Sequence, residues 1–360
     1  MEMFNGYIMS KDIPVAKITN NRVEILNEKL CPLCIARRKD FVGWLSSRAI
    51  DSHRTHSRLL KKVLRLKEYS DFETVLKFNA ATITDTYWVL PETSDLTYKD
   101  VRYEENKFDL LALEGDSNAF SLPPSKTPEL TNVGSFEKCW KRENNEWWLY
   151  KSGNEYEYFS ELFICRLAES LNLPVAHYEY DGKYIKTKDF TGNAKVNLEP
   201  MWAIMGDNED YNDTFNVLYD MNIKLVEQYL QLIWFDTICF NRDRHTSNFG
   251  FLRDPDTGEI LSLAPNYDNN IALISDGIKS ERSLLTKFLK EFLDENKKAK
   301  ELLRNMCLPN ITETLLNDIL SNMPISIDDE FVKRFILNSQ KDVNDVLWDN
   351  GEQPGFRQTL

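Results

Sequence analysis

From Ser135 to Phe190 the sequence changes its period twice, and that alternation limits the folds open to it. "SFEKCWKRENNEWWLYKSG" alternates around a Glu-Asn-Asn turn. It reads as two antiparallel strands, one through Cys139 and Trp140 and one through Trp147, Leu149 and Lys151. "EYFSELFICRLAESLNL" then places Phe159, Leu162, Phe163, Leu167 and Leu171 on one side of a helix. "VAHYEYDGKYIKTKDF" returns to strand text and turns at Asp181 and Gly182. Hairpin, helix, hairpin describes a small sheet with one long helix against it.

The text on either side differs. Up to about Asp116, short alternating runs in "GYIMSKDIPVAKITNNRVEIL" predict a β-hairpin, and "RKDFVGWLSSRAI", "SHRTHSRLLKKVLRLKEY" and "FETVLKF" carry helical spacing. "SLPPSKTPEL", with Pro123, Pro124 and Pro128, marks a loop or linker. Beyond the second hairpin, "FNVLYDMNIKLVEQYLQLIWFDTICF" predicts one long apolar helix, and amphipathic helices follow in "LLTKFLKEFLDENKKAKELLRNMC" and "DEFVKRFILNSQKDVNDVLWD". A hairpin, "FGFLRDPDTGEILSLAP", interrupts them at a strong Asp-Pro-Asp-Thr-Gly turn. The fold class expected is α+β.

At 360 residues, 42% hydrophobic and 28% charged, the chain is long enough for two or three packed units. A net charge of −13 argues against general nucleic-acid affinity. Within that acidic whole, the segment from Arg37 to Lys67, including Arg48 and Arg54, is basic and faces only Asp40 and Asp51, which reads as a solvated helix face or a surface for an anionic partner. The N-terminus has no signal-peptide pattern and no stretch reaches a membrane span, so a cytoplasmic protein is expected. Six scattered cysteines read as buried thiols, not a disulfide framework. Cys31, Cys34, His53 and His56 offer zinc-ligand types, but at a spacing and in a positive field that favour surface histidines and half-buried thiols.

The chemistry concentrates in "NRDRHTSNFGFL" and "PNYDNN". Asp243 and Asn248 stand where an apolar helix ends and a hairpin begins, and the return strand delivers Asp268 to the same end. Hard oxygen donors of this kind suit Mg²⁺, which takes one or two protein carboxylates and leaves its other positions to phosphate oxygens and water. Phosphoryl transfer fits, because it asks for positioning and charge neutralisation and needs only a late proton acceptor, a role open to Asp243. His245 reads as a structural residue behind the loop. Each motif also has an ordinary reading, Asp243 as a cap, Asp268 as turn chemistry and Lys151 as a surface lysine on an edge strand.

An Asp-x-x-x-x-Asn spacing followed by a hairpin and a further Asp resembles protein-kinase-like folds, and "NRDRHTSNFGFLRD...LAPNYDNN" with "SELFICRLAESLNLPVA" resembles the HipA family of serine/threonine kinases. The upstream "TITDTYWVLPETSDLTYKDVRY" resembles the N-terminal part of a HipA-like subgroup. The resemblance implies a bilobal kinase-like fold: an N-terminal extension over 1–120, an N-lobe over 121–190 and a mostly helical C-lobe over 191–360. It implies ATP and Mg²⁺ as cofactors, Asp243 as the catalytic aspartate, Asn248 and Asp268 as metal ligands, and Lys151 as the lysine on the nucleotide phosphates. Glu161 is the implied ion-pair partner of Lys151, with Glu155 and Glu157 as competitors. Lys188, Asp189 and Phe190 are the implied hinge receiving adenine through backbone groups. Gly134 and Ser135 fall in the implied phosphate-covering loop, which lacks the three glycines of animal-type kinases; Ser135 is an ordinary loop serine or an autophosphorylation site. The implied partners are a protein substrate and, for a toxin of this family, a small DNA-binding antitoxin, with no membrane and no direct nucleic-acid contact. A small-molecule or lipid phosphotransferase is the alternative enzyme, since phosphoinositide kinases also carry a "DRH...N" loop. A non-catalytic binding module is the alternative of another class.

Overall fold

The computed structural model describes residues 3–66, 70–277 and 283–348. The chain divides into two compact units, each assembled from discontinuous segments. Unit 1 comprises 1–153, 176–206 and 250–264; unit 2 comprises 154–175, 207–249 and 265–360.

All strands among the described residues lie in unit 1, in three small antiparallel sheets. β1 (Gly6–Ser10), β2 (Ile13–Thr19), β3 (Arg22–Ile25) and β4 (Tyr87–Pro91) form the first, in the order β3-β2-β1-β4. The predicted N-terminal hairpin is thus a three-strand meander extended by a distant strand. β5 (Lys138–Glu143), β6 (Glu146–Lys151), β7 (Tyr178–Tyr180) and β8 (Ile185–Lys188) form the second, in the order β5-β6-β8-β7. Asn144 and Asn145 both take positive φ, 50° and 66°, the backbone that a two-residue hairpin demands. β9 (Asn197–Pro200), β10 (Gly250–Arg253) and β11 (Ile260–Leu263) form the third, in the order β11-β10-β9. The predicted hairpin supplies β10 and β11, and β9 joins it from the far side of a helical segment.

Among the described residues, two apolar clusters lie within unit 1. One packs Leu60, Val63 and Leu64 of a short N-terminal helix against Phe108, Leu111, Leu130, Cys139 and Tyr150; the other surrounds Trp88 with Trp140, Trp147, Val101 and Tyr103. The N-terminal segment is therefore built into the same interior as β5 and β6. Three arginine nodes tie it further. Arg253 on β10 binds Glu199 Oε1 and Tyr87 Oη and donates to the carbonyls of Cys31 and Lys29. Arg48 forms a bidentate pair with Asp85 at 2.9 and 3.0 Å, and Arg54 lies beside Glu129. Both arginines are buried, so the reading of Arg37 to Lys67 as a solvated face is corrected at these two positions, where buried carboxylates from distant segments supply partners. Lys67 lies outside the described residues.

Unit 2 is helical. Glu155–Ser170 opens with Asn154 as N-cap and Glu157 closing a capping box. The long apolar helix expected over "FNVLYDMNIKLVEQYLQLIWFDTICF" is two helices, Tyr211–Met221 and Ile223–Cys239. Asn222, at φ −168° and ψ 131°, ends the first and caps the second, its side chain accepting from the Lys224 amide. Ser283–Glu295, Lys297–Asn305, Glu313–Ser321 and Asp329–Leu347 follow. Aromatic edges join them, as in Tyr211 and Phe215 against Phe292 and Phe240 against Phe335.

The six cysteines carry no disulfide, and all but Cys307 are buried. Burial pushes the Cys31 and Cys34 thiols up to about 12, His53 Nδ1 lies 2.8 Å from Asp51 Oδ1, and the His56 ring lies against Gly115. Among the described residues, no group of three or more metal-competent side chains includes these four. No described helix is long and apolar enough to cross a membrane.

Candidate functional site

The helix Ile223–Cys239 stops at Phe240, which turns left-handed at φ 53°, and the chain then enters the loop from Asn241 to Asn248. Asn241 is buried; its Oδ1 accepts the Asp243 amide at 3.0 Å and its Nδ2 donates to Asn269 Oδ1 at 3.0 Å. Asn248 Nδ2 donates to the Asp243 carbonyl at 2.9 Å and to Asp243 Oδ2 at 3.2 Å. Asp243 and Asn248 are thus in direct contact. His245 lies in the same loop, where its Nδ1 accepts from the Ser247 amide at 3.2 Å.

Asp268 arrives on the segment Asn266–Asn270 with φ 62°, a left-handed conformation that aspartate tolerates better than most side chains and that recurs at functional sites. The next residue, Asn269, donates its amide to Glu161 Oε1 at 2.7 Å, and Glu161 is fully buried. Of the three candidate glutamates in that helix, Glu155 is exposed, Glu157 accepts from the Asn154 amide in the cap, and Glu161 reaches the Asp268 segment.

Arg244, absent from the sequence candidates, organises this arrangement. Its Nε and Nη2 grip both oxygens of Asp236 at 2.8 and 3.0 Å, and Nη1 donates to the carbonyls of Asn248 at 2.6 Å and Tyr267 at 2.7 Å. Nη2 also reaches Asn266 Oδ1 at 2.6 Å and Asn269 Oδ1 at 2.8 Å. One planar cation therefore fastens the 243–248 loop to the 266–269 segment. Its signal was an arginine beside Asp243 at the end of a buried helix, where a charge needs partners.

The electrostatics follow from this enclosure. Burial pushes Asp243 above the ordinary carboxylate range, the charge of Asp268 adds in the same direction, and His245, Arg244 and the Asn248 hydrogen bond oppose it. Asn248 and Asp268 supply a donor set of two oxygen-bearing side chains, one of them anionic, with the Asp243 carboxylate beside Asn248. The Asn248 amide nitrogen faces Asp243, which leaves its carbonyl oxygen as the atom suited to a cation. This donor set fits Mg²⁺.

Unit 1 carries the other sequence candidates. Lys151 is buried at the end of β6, its Nζ 5.4 Å from the Tyr178 ring centroid. It sits in register with Lys138 on β5. Lys138, also absent from the sequence candidates, is buried and its Nζ lies over Gly134. Gly134 has φ 111°, a backbone conformation that favours glycine, and Lys138 Nζ occupies the space beside it where a Cβ would stand. The position of Lys138 was countable from the Asn144-Asn145 turn, which fixes its pairing with Lys151. Ser135 is exposed on this loop.

At the end of β8, Lys188 pairs with Glu146 at 2.5 Å through its side chain, and the Asp189 amide donates to the Trp147 carbonyl at 2.9 Å. The Asp189 carboxylate closes its own turn by accepting from Thr191 and Asn193 amides, and burial raises its pKa. Asp189 thereby shapes the segment through Phe190 with its side chain.

A family model described as the HipA-like C-terminal domain matches residues 118–324. Among solved structures, the chain is similar to one from the complex of HipA, HipB and operator DNA of the Shewanella oneidensis MR-1 toxin–antitoxin system. The identity is 14% and the TM-score 0.59, over 95% of this chain and 99% of that chain. It is also similar to the Helicobacter pylori proinflammatory kinase CtkA, with 21% identity and a TM-score of 0.47 over 58% of this chain and 92% of that one. No curated protein matches.

Proposed function

Since this chain belongs to the HipA-like C-terminal domain family, we propose that it is an ATP- and Mg²⁺-dependent kinase that phosphorylates a serine or threonine of a protein. The observation that carries the reading is the contact of Asp243 with Asn248, held by Arg244 to the segment bearing Asp268. In this reading the fold is bilobal, with 1–120 as an extension, 121–190 as the small lobe and 191–360 as the helical lobe.

Asp243 orients the acceptor hydroxyl and takes its proton, and its raised pKa favours that transfer over a fully solvated aspartate. Asn248 and Asp268 hold the metal, which when bound neutralises the phosphate oxygens. Lys151, with Lys138 beside it, binds the nucleotide phosphates under the loop containing Gly134 and Ser135. Lys188, Asp189 and Phe190 border the adenine. Glu161 supports the metal-bearing segment through the Asn269 amide.

The Shewanella complex contains HipB and operator DNA. By analogy, a small DNA-binding antitoxin is the proposed partner and the cytoplasm the proposed location.

Incubation of the purified protein with γ-labelled ATP and Mg²⁺, with and without a bacterial lysate, tests the reading beside Asp243→Asn. Label on this protein or a lysate protein, lost in the variant, supports it. Mg·ATP binding with no protein label points to a small-molecule acceptor. No nucleotide binding overturns the kinase reading in favour of a binding module.

A further inference from the structure

Arg54 leaves the N-terminal segment and ends beneath the loop from Val133 to Glu137. It is 2% exposed. Its Nη1 donates to the carbonyl of Asn132 at 3.1 Å, the residue just before the loop, and its Nη2 to the carbonyl of Lys138, the residue just after it. The Thr55 amide donates to Glu137 Oε1 on the same loop, and Glu137 Oε2 lies 3.9 Å from Arg54 Nε. Behind the guanidinium stands Glu129, fully buried, 3.7 Å from Nη2 and bonded to the Asn132 side chain and the Trp140 amide.

We propose that Arg54 is a positioning residue that fixes the width and orientation of the Val133–Glu137 loop, and through it the phosphate-binding geometry at Lys138. This rests on the reading of that loop as the phosphate-covering one. A planar fork with fixed N–H directions can bridge two stem carbonyls at once, and a lysine ammonium on a flexible stem cannot reproduce that span. The Lys138 carbonyl is gripped by Arg54 while its ammonium lies over Gly134. Arg54 itself is fixed by its turn: its amide donates to the Asp51 carbonyl, and its carbonyl accepts from the Ser57 amide and hydroxyl. The N-terminal segment therefore acts on the nucleotide loop from below, without touching nucleotide.

Arg54→Lys tests this by two readouts. The first is hydrogen exchange of the Val133–Glu137 amides without nucleotide, expected to accelerate about tenfold or more as the stem bonds open, while the helix Glu155–Ser170 stays protected. The second is affinity for Mg·ATP against adenosine, expected to fall about tenfold for ATP and to stay unchanged for adenosine. A role confined to general stability would accelerate exchange throughout the chain and weaken both ligands alike, and either result overturns the proposal, as does exchange at the wild-type rate. If the wild-type protein binds no nucleotide, the kinase reading falls, while the exchange readout still decides the clamp. If Arg54→Lys does not fold, Glu137→Gln, which weakens the Thr55 and Arg54 contacts from the loop side, is expected to loosen the same five amides; unchanged exchange there counts against the clamp.

Discussion

Arg244 joins two segments that are distant in sequence, taking Asp236 with Nε and Nη2 and the carbonyls of Asn248 and Tyr267 with Nη1. Arg244→Lys keeps the charge and leaves several of these acceptors unpaired, at about 1–3 kcal/mol for each buried group left without a partner. We expect kcat to fall at least tenfold and the melting temperature to drop by several degrees. Wild-type turnover in Arg244→Lys would remove Arg244 from the positioning role. Asp243 behaves oppositely. Burial disfavours its charge, so Asp243→Asn is expected to abolish transfer while leaving thermal stability equal to or above that of the wild type; retained turnover would refute its assigned role. Asp243, Asn248 and Asp268 could be picked out as candidates in the sequence because their order and spacing, together with the surrounding text, resemble the HipA family. Arg244 stayed hidden because its importance lies in the acceptors it meets on a second segment, whereas Lys138 was open to counting back from the Asn144-Asn145 turn.

Elements whose pairing is local could be read directly: the Asn144-Asn145 turn fixes β5 and β6, and the Asp254–Gly258 turn joins β10 to β11. β9 could not, since "NLEP" pairs with β10 about fifty residues later and has no local partner. The break at Asn222 was hidden by an apolar pattern that continues on both sides of it. Burial of Arg54 was hidden likewise, because Glu129 approaches from a loop read only as a proline-rich linker. That burial has a measurable consequence. Loss of solvent pushes Glu129 up to about 7, although Arg54, the Trp140 amide, Asn132 and Asn106 oppose it. The folded protein then holds a proton that the unfolded chain has released, from the ordinary glutamate range near 4.3 up to about 7. Stability therefore decreases as pH rises through that window, with a slope of at most about 1.4 kcal/mol per pH unit. Urea unfolding of wild type against Glu129→Gln at several pH values isolates the effect. A stability difference independent of pH between 4.5 and 7 would contradict it.

At the scale of the whole chain, unit 1 gathers residues from the N-terminus, the middle and the β10–β11 hairpin, and Arg253 shows how. It contacts Cys31 and Lys29, more than two hundred positions away in sequence, and Glu199 on the neighbouring strand. Closures of that length leave no periodic trace, which is why the N-terminal segment read as separate text although it shares cores with β5 and β6. They also mean that a ligand bound only by the folded protein should stabilise a large cooperative structure. At a hundred times its Kd, such a ligand adds about 2.7 kcal/mol. Mg·ATP is accordingly expected to raise the melting temperature of the wild type by several degrees, and EDTA to reverse most of that rise. The two aspartates should separate in this assay. On the proposed reading, Asp243→Asn is expected to retain the shift, because it would lose a proton acceptor and keep the metal ligands, whereas Asp268→Asn is expected to lose most of it, because it would remove the anionic donor to the metal. Equal shifts in both variants would show that Asp268 holds no metal and would return the pair to ordinary loop chemistry.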